Sequence, residues 1–199
     1  MTAKRKIILG ITGASGATYA LRTLEALARA GCEIHLCISE PGRRVMEIET
    51  GLHLPTDPSG LAKLINAPTE NIHLIAPDDF ASAICSGSAR FDGMAVVPCS
   101  MRTLGAIACG CGDNAMHRAA DVTLKDRRPL ILVPRETPLS TIHLRNMLEL
   151  ARAGATVLPA CPGFYHKPQS VADLVDFVVA RLLDALGVQN DLVKRWPEQ

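Results

Sequence analysis

The chain opens with Lys6-Ile7-Ile8-Leu9-Gly10-Ile11-Thr12-Gly13-Ala14-Ser15-Gly16-Ala17, an apolar run that meets a turn of small residues. Beyond the turn, Leu21, Leu24, Leu27 and Ala28 follow at helical spacing. A short apolar run bounded by such a turn reads as a buried strand. The glycine turn lets backbone N–H groups approach an anion, with the positive end of the following helix behind them. Phosphate is therefore the expected guest of Gly13, Ala14 and Ser15. The spacing matches neither G-x-G-x-x-G nor the pattern that ends in Gly-Lys-Ser/Thr, so the turn alone also fits a plain tight connection.

The same alternation continues to the end of the chain. Apolar runs at 33–39, 71–75, 93–98, 129–133 and 156–159 read as strands, and 42–50, a segment from 104, 114–126 and 141–153 read as helices. Ser39 and Ser140 stand where helix caps belong. A final helix starts at Ser170, with Asp173 three residues on, and stops at Gly187. The proline-bearing stretch 51–69 reads as a variable connection with one short helix at 61–65, residues 78–83 as a helical turn, and 85–88 as a polar loop. Strands alternating with helices, with near-continuous apolar strands, predict a doubly wound α/β domain over residues 1–199. Its sheet would be mostly parallel, with about six strands and helices on both faces. A tail at 188–199, carrying Trp196, is expected to pack on a neighbouring subunit.

A formal charge of +1 supplies no field for nucleic acid or for an anionic membrane surface. No apolar run approaches the ~20 residues of a membrane span, and the basic start at 1–6 leads into a strand instead of a leader's apolar segment. The expected compartment is the cytoplasm. Seven cysteines, an odd number in apolar contexts, read as reduced small hydrophobes. Cys109-Gly110-Cys111 is the one close pair, and no second pair completes a zinc site, so no metal is expected.

Ligands of such sheets bind beyond the carboxyl ends of the strands. In chain order those positions hold Thr12, Gly13 and Ser15; Ser39 and Glu40; Ser100, Arg102 and Thr103; Arg135 and Glu136; Gly163, Phe164 and Tyr165. Taken singly they read as helix caps and surface ion pairs. Together, hydroxyls, arginines, a carboxylate and aromatics on one rim suit a flat, phosphorylated, partly apolar ligand. A mononucleotide fits better than a dinucleotide, because the fingerprint glycines are missing.

Gly13-Ala14-Ser15-Gly16, Pro98-Cys99-Ser100 with Thr103-Leu104, Ala119-Ala120-Asp121-Val122 with Leu124-Lys125, Arg127-Arg128-Pro129-Leu130, Val133-Pro134-Arg135-Glu136 and Pro162-Gly163-Phe164-Tyr165 resemble the UbiX-type flavin prenyltransferases. The resemblance covers nearly the whole chain in order and is poorest over 52–83. It implies transfer of a dimethylallyl group from dimethylallyl phosphate to N5 and C6 of reduced FMN, without a metal. The product, prenylated FMN, would serve UbiD-type decarboxylases, in ubiquinone synthesis or aromatic-acid metabolism. It also implies a homo-dodecamer with sites at subunit contacts. Carried across by motif, FMN would meet Gly13, Ala14, Ser15, Ser39, Ser100, Met101, Arg102, Thr103 and Arg135. The prenyl phosphate would meet Lys125, Arg135, Tyr165 and Arg181, with Ser86, Gly87, Arg118 and Glu136 nearby. Glu49, Lys125, Glu136 and Ser15 are the expected catalytic set. Preplaced cations would stabilise the departing phosphate, and a carboxylate could take the ring proton. Arg181, within the final helix's apolar face, is expected to be buried on an anionic partner. Met101-Arg102 and Cys161 depart from pairs and residues common in the family.

Two other readings remain open from sequence. An FMN-dependent decarboxylase of the cysteine-decarboxylating class would carry a Pro-x-Met-Asn motif, whereas this strand end reads Pro98-Cys99-Ser100-Met101. A non-enzymatic FMN carrier would have no use for Lys125, Glu136, Tyr165 and Arg181 together.

Overall fold

The computed structural model describes residues 4–55, 60–61 and 64–194. The expected short helix at 61–65, Pro58 and Trp196 with the end of the tail lie wholly or partly outside the described residues. Six strands, β1 (Lys6–Ile11), β2 (Glu33–Ile38), β3 (Ile72–Ile75), β4 (Gly93–Cys99), β5 (Leu130–Pro134) and β6 (Thr156–Val157), form one sheet. Their order is β3-β2-β1-β4-β5-β6 and every pairing is parallel. The order reverses between β1 and β4, the position at which doubly wound sheets open a crevice.

The helices are α1 (Ala17–Arg29), α2 (Glu40–Thr50), α3 (Met101–Ala108), α4 (Ala115–Lys125), α5 (Thr141–Arg152) and α6 (Val171–Ala185). Apolar side chains from both faces of the central strands fall into two separate buried clusters, as two helical layers require. Ile7, Leu9 and Ile11 pack with α1 and α6, while Ile8, Met94 and Val96 pack with α3 and α4. The core is aliphatic on both sides.

The capping residues fix several boundaries differently from the apolar pattern. Ser39 accepts from Gly42 N–H and starts α2 at Glu40, two residues before the expected 42. Ser100 accepts from Thr103 N–H, so α3 begins at Met101 and not at 104. Hydroxyl caps, invisible to hydrophobic periodicity, account for both shifts. The expected helical turn at 78–83 is a run of turns followed by a 3-10 turn at Ala83–Cys85. Strand β6 ends at Val157: Leu158 and Ala160 still donate to the Leu132 and Pro134 carbonyls, but Pro134 has no N–H to return to β6. Ser140 and Ser170 each head a capping box, with His143 and Asp173 as the reciprocal partners.

Candidate active site

The carboxyl ends of β1 and β4 are locked together. Buried Thr12 donates its hydroxyl to the Pro98 carbonyl at 2.7 Å and accepts from Ser100 N–H at 2.7 Å. That latch holds the α1 turn beside the start of α3. Gly13 is required by close approach: a Cβ there would stand 2.5 Å from Pro41 Cβ at the start of α2. Gly16, the N-cap of α1, has φ +122°, a conformation side chains avoid. The glycine turn is thereby tucked under α2.

The cap that α1 lacks in its own sequence comes from α2. Glu49 accepts from Gly16 N–H at 3.0 Å and from Ala17 N–H at 2.8 Å, a carboxylate seated on the positive end of the helix. Burial raises the Glu49 carboxyl, but hydrogen bonds from Ser15, Ala17 and Gly16 and the charge of Arg135 outweigh it, so Glu49 lies below its ordinary value. This corrects the expected phosphate cradle. The two N–H groups at the head of α1 already hold an anion, and a phosphate placed there would meet a like charge. The starts of α2 and α3, headed by Ser39 and Ser100, are two further helix N-termini on this rim.

From the other side, Arg135 follows β5 and donates its Nε–H to the Ser15 carbonyl at 3.0 Å. Glu136 is exposed beside it, accepting from Thr137 N–H at 3.1 Å. Arg135, Glu136, Leu139, Met147 and Cys161 line a cleft of about 440 Å³ at the carboxyl ends of β5 and β6. Ser15, Glu49, Arg135 and Glu136 thus come from three distant segments to one rim. Gly13, Ala14, Ser39, Ser100, Met101, Arg102 and Thr103 stand along the same edge, with Met101 and Arg102 in the first turn of α3.

The remaining expected residues are not gathered there. Lys125 ends α4 at the amino edge of the sheet, pairs with Asp126 at 2.8 Å, and stands beside Gly87. Ser86 bonds Ser88 in that same loop. Arg118 pairs with Asp121 one turn along α4. Tyr165, 66% exposed, lies edge-on to Phe177 with centroids 5.7 Å apart. Arg181 is not buried. Its side chain is 65% exposed and reaches Asp184 at 3.5 Å, because its position falls on the outer edge of the apolar stripe formed by Val178, Val179, Leu182 and Leu183. Within one chain, the residues expected to meet FMN and the Ser15–Glu49–Arg135–Glu136 set converge, while Lys125, Ser86, Gly87, Arg118 and Arg181 sit apart.

Sequence reasoning missed Thr12 as the latch and Pro41 as the lid over Gly13. It also missed Asp126, held below the usual carboxylate range first by the Lys125 hydrogen bond. The adjacent Lys125-Asp126 pair was the only sequence signal for the last.

The flavoprotein family model matches residues 1–183. Flavin prenyltransferase UbiX of Pseudomonas aeruginosa is 48% identical over 203 aligned residues, covering 100% of this chain and 97% of its own. The chain belongs to the UbiX family of flavin prenyltransferases. A crystal structure of AnUbiX in complex with FMN and dimethylallyl pyrophosphate superposes with a TM-score of 0.89 at 44% identity, covering 99% of this chain and 100% of that one. A dodecameric FMN-dependent UbiX-like decarboxylase from Escherichia coli O157:H7 matches with a TM-score of 0.84 at 44% identity, covering 97% and 100%. An FMN-dependent cysteine decarboxylase matches at 17% identity and shares the fold alone, so the cysteine-decarboxylating alternative is not favoured. No helix among the described residues is long and apolar enough to cross a membrane.

Proposed function

We propose that this UbiX-family enzyme transfers a dimethylallyl group from dimethylallyl phosphate to reduced FMN. The carrying observation is the meeting of Ser15, Glu49 and Arg135 at the rim beside the cleft that holds Glu136. FMN fits the residues present. Gly13 leaves the turn without a Cβ, hydroxyl-capped helix starts face the rim at Ser39 and Ser100, and Arg135 stands exposed for an anion. The phosphoryl end belongs with Ser39, Ser100, Arg102 and Thr103, and the ring system with Gly13, Ala14, Ser15, Met101 and Arg135. When bound, reduced FMN supplies the nucleophilic N5 and C6 positions.

The chain's own residues orient and neutralise. Glu49 fixes the Ser15 hydroxyl and is ionised at neutral pH, so it can accept a proton handed on by Ser15. Glu136 is the second acceptor at the cleft. Arg135 balances charge that grows on the leaving phosphate, together with Lys125, Tyr165 and Arg181. Since Lys125, Arg118, Ser86, Gly87 and Arg181 stand away from this rim, neighbouring copies bring them to it, in a homo-dodecamer like that of the E. coli relative. Helix α5 supports such assembly: Leu150 is its one buried residue, and Ile142, Leu144 and Leu148 are exposed at 69%, 51% and 49%. A UbiD-type decarboxylase is the proposed recipient of prenylated FMN, and the cytoplasm the proposed compartment.

A carrier would not need the Ser15–Glu49–Arg135 arrangement. The test is equilibrium titration followed by turnover. Reduced FMN should bind one per chain, with FAD and NAD failing to compete at similar concentration. Prenylation from dimethylallyl phosphate should survive EDTA. FMN binding without turnover would establish a carrier, and strict magnesium dependence would assign a different donor class.

A further inference from the structure

Cys109 and Cys111 close the loop between α3 and α4, and both are exposed. The Cys109 thiol points at Cys111 Sγ with the sulfurs 3.4 Å apart, and also at the Gly105 carbonyl at 3.1 Å. A disulfide bond measures about 2.05 Å, so closure asks for little more than about 1.3 Å of movement. The backbone can supply it. Gly110, at φ +71°, and Gly112 flank Cys111 with open space where a Cβ would stand. The hydrogen bond with Cys109 and its charge hold the Cys111 thiol above its ordinary range, as expected when two sulfurs share protons. The other cysteines differ. Cys32, Cys37, Cys85 and Cys99 are buried, burial pushes Cys37 and Cys99 up to about 12, and Cys161 is exposed in the cleft with Arg135 and Glu136.

Cys111 shares a cavity of about 100 Å³ with His117, Arg118 and Asp121. The loop it anchors leads through Asn114, which caps α4, and the Asn114 carbonyl accepts from Arg118 N–H at 3.0 Å. Cys111 and Arg118 line the same cavity, so drawing Cys111 toward Cys109 changes the wall against which Arg118 stands.

We propose that Cys109 and Cys111 form a reversible dithiol–disulfide site whose closure displaces Arg118 and weakens use of the prenyl phosphate. The functional half rests on the proposed role of Arg118 toward that phosphate. One cysteine thiolate attacks a low-molecular-weight disulfide such as oxidised glutathione, forming a mixed disulfide and releasing one thiolate. The second cysteine thiolate attacks the mixed disulfide, closing the Cys109–Cys111 bond and releasing the other. Two protein thiols are oxidised, one small disulfide is reduced to two thiols, and the two protons pass to the leaving thiolates. An exposed bridge of this kind is labile to reductants. The device suits an enzyme whose acceptor exists only under reducing conditions.

The full-length assembled protein is incubated without oxygen in excess oxidised glutathione, and the small disulfide is then removed. Intact mass of the parent should fall by two hydrogens and return with dithiothreitol, whereas Cys109→Ser should lose no hydrogens and hold at most a glutathione adduct on Cys111, its resolving partner being gone. Cys161→Ser should behave as the parent. The KM for dimethylallyl phosphate should rise at least several-fold in the oxidised parent and not in treated Cys109→Ser. Glutathione adducts alone, a bridge between other cysteines, or a Cys109–Cys111 bridge with unchanged KM would overturn the proposal. Failure of the reduced protein to prenylate FMN would instead count against the proposed function, since the bridge is read by mass alone.

Discussion

Two carboxylates, one on each side of the rim, share the proposed proton work. Glu49 is fixed by Gly16, Ala17 and Ser15, while exposed Glu136 accepts from Thr137 N–H. Glu136→Gln keeps size and one acceptor, so FMN affinity should change by less than about 1 kcal/mol while the prenylation rate falls ~10²-fold or more. FMN titration beside single-turnover product formation checks this, and parental turnover would leave Glu136 a structural role. Arg135→Ala should instead weaken FMN binding, since a charge-assisted contact is lost with the anchor to Ser15. Sequence reading reached both residues through their place after the fifth strand. It did not reach the seating of Glu49, because residues 16 and 49 meet only after the sheet has formed.

Elements were legible wherever apolar spacing was strong, as in α6 and β4, whose residues repeat at helical period or run unbroken through the core. Their starts were less so, since a serine hydroxyl and not a hydrophobic period sets where α2 and α3 begin. The turn between β1 and α1 leaves no room for a Cβ at Gly13. Gly13→Ala would press a Cβ on Pro41, costing about 1–3 kcal/mol and shifting α2 away from the turn. Calorimetry should show the lowered midpoint, with FMN affinity reduced in step. A variant as stable as the parent would mean that α2 rides freely over the turn. On β2, His35 is half-buried, edge-on to Phe91 and 4.9 Å from His73. Burial is the main cause that holds its pKa below the ordinary 6.5, and His117 on α4 behaves alike. The unfolded chain then binds protons first as pH falls below 6.5, so the folded state loses stability in that direction and holds it fully above. The melting midpoint should drop between pH 7.5 and 5.5, less steeply in His35→Leu. Equal slopes would remove His35 from the acid response.

The parallel, doubly wound class of the whole molecule followed from the pattern of its segments, because alternating apolar strands and amphipathic helices leave few sheets other than a parallel one. The full site did not, since Lys125 and Arg181 lie away from the rim of their own chain and no periodicity reports how copies meet. Exposed Ile142 and Leu148 on α5 are the proposed contact. Placing aspartate at both should give smaller particles in light scattering and lose prenylation, while FMN binding weakens far less. An unchanged particle size would exclude α5 from the contacts. The most direct test of the account is mass spectrometry of flavin released after anaerobic incubation of the protein with reduced FMN and dimethylallyl phosphate. The account predicts FMN enlarged by one five-carbon prenyl unit, formed in the presence of EDTA. Recovery of unmodified FMN alone, from protein saturated with both reactants, would contradict it.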